Sequence, residues 1–188
     1  MKQILISEET VLEEVKKAVA ETLNIEPERI QPESSLMKDL GAESLDFLDL
    51  NYRLERTFGM KMARHLIVEH IEDLFGEGSA VDENSKLTAG GIALLELRLG
   101  DHISDLQPGM DVDEVPQLIT IESYVSGVMD ILNSLPDACE SCGNSAWKVD
   151  NGVRITCGSC GGAATFMNGD DLVREWLTKT QNEKRIFS

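Results

Sequence analysis

The chain is short of positive charge. Its 188 residues hold 17 Lys and Arg against 34 Asp and Glu, a net charge of −17. Phosphate binding needs clustered Lys and Arg, so this balance argues against a general nucleic-acid binder. It also disfavours docking on an anionic membrane. Long apolar runs are missing: nowhere do about 18 apolar residues follow one another, so no membrane insertion is expected. The apolar stretch near the start, Ile4-Leu5-Ile6, is too short for the core of a signal peptide. No repeat at a fixed period is found. A cytoplasmic protein is expected, with partners that present basic surfaces. Cysteine is scarce but present, and four cysteines in a reducing compartment point to metal before disulfide.

What is present suits a folded chain of one or two domains. Hydrophobic residues make up 41% and charged residues 27%, which permits a packed core. Charge divides the chain unevenly. Residues 1–60 carry 13 acids and 7 bases, residues 61–135 carry 14 and 4, and residues 136–188 carry 7 and 6. All four cysteines fall in the last, nearly neutral part. The expected division is therefore an acidic domain over 1–135 and a small cysteine-bearing module over 136–188, split near Ser134-Leu135-Pro136-Asp137.

Helical spacing dominates the first domain. Thr10-x-x-Glu13 has the form of a capping box, and Val11, Leu12, Val15, Ala18, Val19 and Leu23 follow at helical intervals. Pro27 and Pro32 break the pattern. A second helix is predicted from Ser44 to Phe58, stopped by Gly59. On it Leu45, Leu48 and Tyr52 lie beside Phe47, Leu50, Leu54 and Phe58 as one broad apolar face. Further helices are predicted over 62–75, over 91–97 and after Thr120. Residues 76–90 read as loop.

Ser44 stands in Asp39-Leu40-Gly41-Ala42-Glu43-Ser44-Leu45-Asp46. Taken alone, a serine before an apolar-periodic run reads as a helix N-cap. Glu43 and Asp46 then read as acids favoured by the helix dipole. The wider pattern resembles the acyl carrier protein family, in which Gly-x-Asp-Ser-Leu marks an attachment serine. The resemblance runs from Val11 through Phe58 and resumes at Val115-Pro116-Gln117-Leu118-Ile119-Thr120-Ile121. It implies a helical bundle and no catalysis by the chain itself. It implies that a phosphopantetheinyl transferase esterifies Ser44 with 4'-phosphopantetheine from coenzyme A, and that the arm's thiol carries an acyl group as a thioester. It implies that Glu43, Leu45, Asp46 and Asp49 meet Lys and Arg on acyl-loading and acyl-transferring enzymes, acids that mainly steer encounter. Without the resemblance the acidic stripe reads as a solvated helix face, with Asp49 and Arg53 an i,i+4 pair.

Three departures from the family stand out. Glu43 replaces the usual Asp, a residue that helps the transferase hold its metal. Arg56 and Thr57 stand where acids are common. The span from about 61 to 115 is far longer than the family's connecting loop. It reads equally as a lid or enlarged pocket for the acyl chain and as a decorative subdomain or extra docking surface.

The cysteines read Cys139-x2-Cys142-x14-Cys157-x2-Cys160, the spacing of a four-cysteine zinc site. Both pairs continue with glycine, Gly143 and Gly161, which lets a tight knuckle turn its N–H groups to the thiolates. Residues 146–149 and 153–156 read as strands joined by an Asn151-Gly152 turn. The whole resembles a zinc ribbon with a closed, structural ion. Two disulfides, free thiols or rubredoxin-like iron are the other readings of four sulfurs. A third strand over 163–167 and a short C-terminal helix carrying Leu172, Val173, Trp176 and Leu177 complete the module, with Trp147 and Trp176 in its core. His65, His70 and His102 are given no ligand role.

The expected class is mainly α: an acyl-carrier-like helical bundle with an inserted segment, plus a small β zinc ribbon and a C-terminal helix. The expected function is a monomeric, specialised acyl carrier in fatty-acid, lipid or polyketide-type biosynthesis. A peptidyl or aminoacyl carrier uses the same serine chemistry. An unmodified zinc-ribbon adaptor is the alternative of a different class. A hydrolase is disfavoured, because no motif brings a histidine to Ser44.

Overall fold

The computed structural model describes residues 3–100 and 106–187. The elements are α1 (Glu8–Leu23), α2 (Ser44–Phe58), α3 (Ile67–Phe75), α4 (Ala89–Leu99), α5 (Ile121–Leu132), β1 (Trp147–Asp150), β2 (Arg154–Cys157) and α6 (Gly169–Lys184). Short 3-10 turns occupy Pro27–Arg29 and Val112–Leu118. The protein is mainly helical, with one two-stranded antiparallel sheet.

The chain folds into two compact units. One joins residues 1–62 to 119–169, the other joins 63–118 to 170–188. These units do not coincide with the division at 135/136 that charge and cysteine content suggest. Composition follows chain order, whereas packing follows which apolar faces meet.

In the first unit α1 packs on both α2 and α5. Val11, Val15 and Val19 of α1 meet a core that includes Leu54, Phe58, Ile121 and Val128, all buried. The segment before α2 is tied to the entry of α5: Leu36 N–H donates to the Ile119 carbonyl at 3.1 Å, and Ile121 N–H to that of Ser34 at 3.1 Å. The first helix begins one turn earlier than its apolar pattern suggests. Ser7, not Thr10, is the N-cap, and its hydroxyl accepts from Thr10 N–H at 3.1 Å. Ser7-Glu8-Glu9 supplies both a cap and first-turn acids, so it outcompetes the Thr10-x-x-Glu13 pattern.

The cysteine hairpin belongs to this unit. β1 and β2 pair with Trp147 opposite Cys157 and Asp150 opposite Arg154. That register makes a three-residue loop of Asn151, Gly152 and Val153, not a two-residue turn. Residues 163–167 add no strand, only a bridge from Ala163 to Thr156. Trp147 is half-buried, not core, and its indole N–H donates to the Pro136 carbonyl at 2.9 Å.

In the second unit α3 begins at Ile67, not near residue 62. Glu69 accepts from Leu66 N–H at 2.7 Å and so marks the start. Met62 N–H is already held by Glu55 of the first unit at 3.0 Å. Thr88 caps α4 by accepting from Gly91 N–H at 3.0 Å. Gly91 is required there, because a Cβ would stand 2.5 Å from the Ala80 carbonyl oxygen. Ile71, Leu94, Leu95 and Leu177 are the buried centre, and Val173 and Trp176 pack against it. A segment as short as 63–118 buries little apolar area alone. The 16-residue α6 supplies the missing face, so the C-terminal helix is neither short nor part of the cysteine module's unit. Trp176 is half-buried, beneath the Arg98 guanidinium.

Candidate functional site

The approach to α2 is fixed by backbone bonds. Ala42 is buried and its N–H donates to the Leu36 carbonyl at 2.8 Å. Gly41 turns the chain at φ 76°. Glu43 is extended and forms the N-cap, and its N–H donates to Asp46 Oδ2 at 2.7 Å. Ser44 is therefore not the N-cap. It is the first helical residue, and it is exposed. A helix start leaves backbone N–H groups without helical partners, a setting that favours a bound phosphate.

The broad apolar face expected on α2 splits in two. Leu50, Leu54 and Phe58 are buried. Leu45, Leu48 and Tyr52 are 75%, 53% and 54% exposed and form a separate apolar stripe that starts beside Ser44. The acids have local work. Asp46 caps the helix as described. Asp49 accepts from the Thr22 hydroxyl at 2.9 Å and from Arg53 Nε at 2.7 Å, while Arg53 also reaches Glu21 at 2.7 Å. The Arg53 and Thr22 hydrogen bonds hold the Asp49 carboxyl below its ordinary value. Asp49 thus links α2 to α1. A shallow depression lies between these helices, lined by Val19, Leu23, Leu36, Ala42, Phe47 and Leu50 among others.

The four cysteine thiols converge. Sγ of Cys139 lies 3.7 Å from that of Cys160, and Cys142 lies 3.6 Å from Cys157. These separations exclude disulfides, whose sulfurs lie about 2.05 Å apart. Four sulfurs bound tetrahedrally at about 2.3 Å from one ion stand roughly 3.8 Å from each other. The tetrad therefore fits a metal of zinc size. The knuckles repeat: Gly143 N–H donates to the Cys139 carbonyl at 2.8 Å, Gly161 N–H to that of Cys157 at 2.9 Å, and both glycines have positive φ. Ser159 N–H reaches Cys157 Sγ at 3.4 Å. Backbone N–H groups of Cys160 and Ser159 pull the Cys157 thiol down to about 6. Asn144 N–H pulls on Cys142 likewise, but the neighbouring sulfurs of Cys160 and Cys157 outweigh it and push that thiol up to about 11. A cation would relieve the crowding of negative sulfur.

The hairpin also touches the end of α2, a contact no spacing rule reveals. Arg154 donates through its guanidinium to the Arg56 carbonyl, one of the last carbonyls of the helix. Of the histidines, His65 is exposed and His70 is buried. His102 lies outside the described residues.

The comparison with known proteins covers the first half of this arrangement. Residues 13–74 match a family model described as phosphopantetheine attachment site. The match spans Ser44 and α2, and the cysteine tetrad lies outside it. Over 57 residues the chain is 40% identical to an acyl carrier protein of Thermosynechococcus vestitus, covering 30% of this chain and 70% of that one. Over 73 residues it is 36% identical to acyl carrier protein AcpXL of Mesorhizobium japonicum, covering 39% and 76%. Such relatives are carriers and not enzymes. With two of them matched over most of their own length, the chain belongs to the acyl carrier protein family.

Proposed function

We propose that Ser44 is the attachment point of 4'-phosphopantetheine and that the chain carries acyl groups as thioesters on that arm. The observation that carries the reading is an exposed serine at the first position of a helix, inside the span matched to the phosphopantetheine attachment family. The serine oxygen takes the phosphate of the arm from coenzyme A, whose adenosine bisphosphate half leaves with the transferase. The helix N-terminus then stabilises the phosphodiester. Cargo from fatty-acid, lipid or polyketide-type biosynthesis suits a carrier this acidic, whose enzymes dock through basic surfaces. Leu45 and the stripe beside it offer those enzymes apolar contact, with Glu43, Asp46 and Asp49 around it.

The tetrad Cys139, Cys142, Cys157 and Cys160 binds zinc as a closed structural site in this reading. The ion holds the hairpin against the end of α2. A reducing cytoplasm keeps such thiols available. No helix among the described residues is long and apolar enough to cross a membrane.

Intact mass measurement tests the central claim. After incubation with coenzyme A and a broad-specificity phosphopantetheinyl transferase, the wild type gains one phosphopantetheine and Ser44→Ala gains none. A folded wild type that no transferase modifies would sink the carrier reading and favour an adaptor.

A further inference from the structure

The second unit brings together three side chains that the carrier chemistry leaves idle. His65 precedes α3, His70 sits within it, and Asp170 is the second residue of α6. Asp170 Oδ1 lies 2.9 Å from His70 Nε2 and 3.4 Å from His65 Nδ1. One donor atom from each residue lies within 4.8 Å of the other two. We propose that His65, His70 and Asp170 form a second metal site, for a divalent transition ion of the zinc type.

Geometry is the first argument. Two donors each about 2.0–2.2 Å from one ion stand roughly 2.9–3.5 Å apart at octahedral to tetrahedral angles. Both distances to Asp170 already lie in that range. The remaining pair, His65 to His70, has its donor atoms within 4.8 Å of each other. The rings meet edge to face at 5.6 Å between centroids, so neither blocks the other.

Preorganisation is the second. The His70 side chain is 2% exposed, which fixes its ring. Asp170 is held by backbone N–H groups: Arg64 reaches both carboxylate oxygens at 3.1 Å, and His65 reaches Oδ1 at 3.2 Å. Bonds of this kind to a ligating carboxylate orient it toward an ion. Burial pushes the Asp170 carboxyl up, but the Arg64 and His65 N–H groups and the His70 ring outweigh it and keep the carboxyl below its ordinary value. Without an ion, Oδ1 is the shared target of both rings and both N–H groups.

The chemistry of the donors is the third. Two imidazoles and one carboxylate suit zinc, cobalt or ferrous iron better than magnesium or calcium. Three protein ligands leave a coordination position open, and the His65 side chain, 62% exposed, stands at the solvent side. Water or a small anion completes the sphere there. The ion ties the start of α6 to the segment entering α3, so this site closes a unit whose parts lie about a hundred residues apart in sequence.

Zinc titration of the full chain tests the proposal, read by elemental analysis and native mass. The wild type is expected to hold two equivalents, one in the cysteine tetrad and one here. His65→Ala is expected to weaken the second equivalent at least about tenfold and leave the first unchanged. That side chain is exposed, so the fold survives its loss, and far-UV circular dichroism checks it. Asp170→Asn is expected to do the same where it folds. Cobalt substitution separates the sites: the tetrad gives an intense thiolate charge-transfer band, and the second site gives only weak ligand-field bands. A wild type with no equivalent beyond the thiolate-bound one overturns the proposal. A second equivalent that His65→Ala leaves at full affinity overturns it too, since the ion then sits elsewhere. Neither result touches the role of Ser44.

Discussion

In the proposed reading the first compact unit secures its hairpin through a metal on four cysteines only 22 residues from end to end. The second secures its helices with Leu177 and Asp170, from a helix that follows that hairpin in the chain. The hairpin and the 63–118 segment each hold too little apolar area to close unaided. One remedy is local chemistry, the other is a borrowed helix. A small module can be completed by ligands near in sequence or by a face far from it, and only the first kind has a sequence signature.

Metal removal is expected to have the largest effect. A strong chelator is expected to unfold the 139–164 hairpin while α1, α2, α5 and the helices of the second unit persist. Structural zinc contributes on the order of 10–16 kcal/mol in small finger peptides, so the hairpin should not survive its loss. Amide exchange and Trp147 fluorescence would report this. Retained hairpin protection after complete demetallation would contradict it. Acid should act in the same direction, because protons compete with the ion for thiolate as pH falls.

Leu177→Ala tests the borrowed helix. The side chain is fully buried in the core of the second unit, so its truncation is expected to cost about 2–5 kcal/mol. The loss should appear as faster exchange in α3, α4 and α6. Ser44 modification by the transferase should continue at an unchanged rate. Equal loss of protection in α1 and α5 would mean that the two units unfold as one.

Asp49 gives a smaller, pH-dependent effect within the first unit. Its folded carboxyl is held below the ordinary 3.8 by Arg53 and Thr22. The contribution is therefore complete above that value and is lost as pH falls through the lowered one. Asp49→Asn should remove this acid-limb dependence and cost about 0.2–1 kcal/mol at neutral pH, the range for solvent-screened pairs. Urea unfolding across the acid range checks both.

Glu43→Asp should have the smallest structural effect. The bond from the position-43 N–H to the Asp46 carboxylate does not depend on the side chain at 43, so the substitution keeps it. If the family's usual Asp serves the transferase, this variant is modified faster by a broad-specificity enzyme with no change in stability. An unchanged rate would remove Glu43 from the list of determinants.

Much of the first unit was legible along the chain. The span of α2, its stop at Gly59 and the Thr120 start of α5 all follow from caps and 3.6-residue spacing, which depend on neighbours within one or two turns. The cysteine pairs were legible because a metal site's ligands obey short spacings. Boundaries failed where two local signals competed. Ser7 displaced Thr10 at the head of α1, and Glu69 set the start of α3 later than the apolar residues Met62 and Leu66 imply. The α2 face misled for another reason. Periodicity places Leu45, Leu48 and Tyr52 near the buried stripe, but the packing of α1 and β2 on α2 leaves those three exposed.

The family pattern, the helical class and the pairing of four cysteines can all be read along the chain. Each rests on residues close enough in the chain to constrain one another directly. It takes the packed fold to bring α6 into the second unit, Arg154 to the end of α2, and Asp170 between His65 and His70. Those pairings join residues about a hundred positions apart. No local period encodes them, because they exist only once buried faces have chosen their partners.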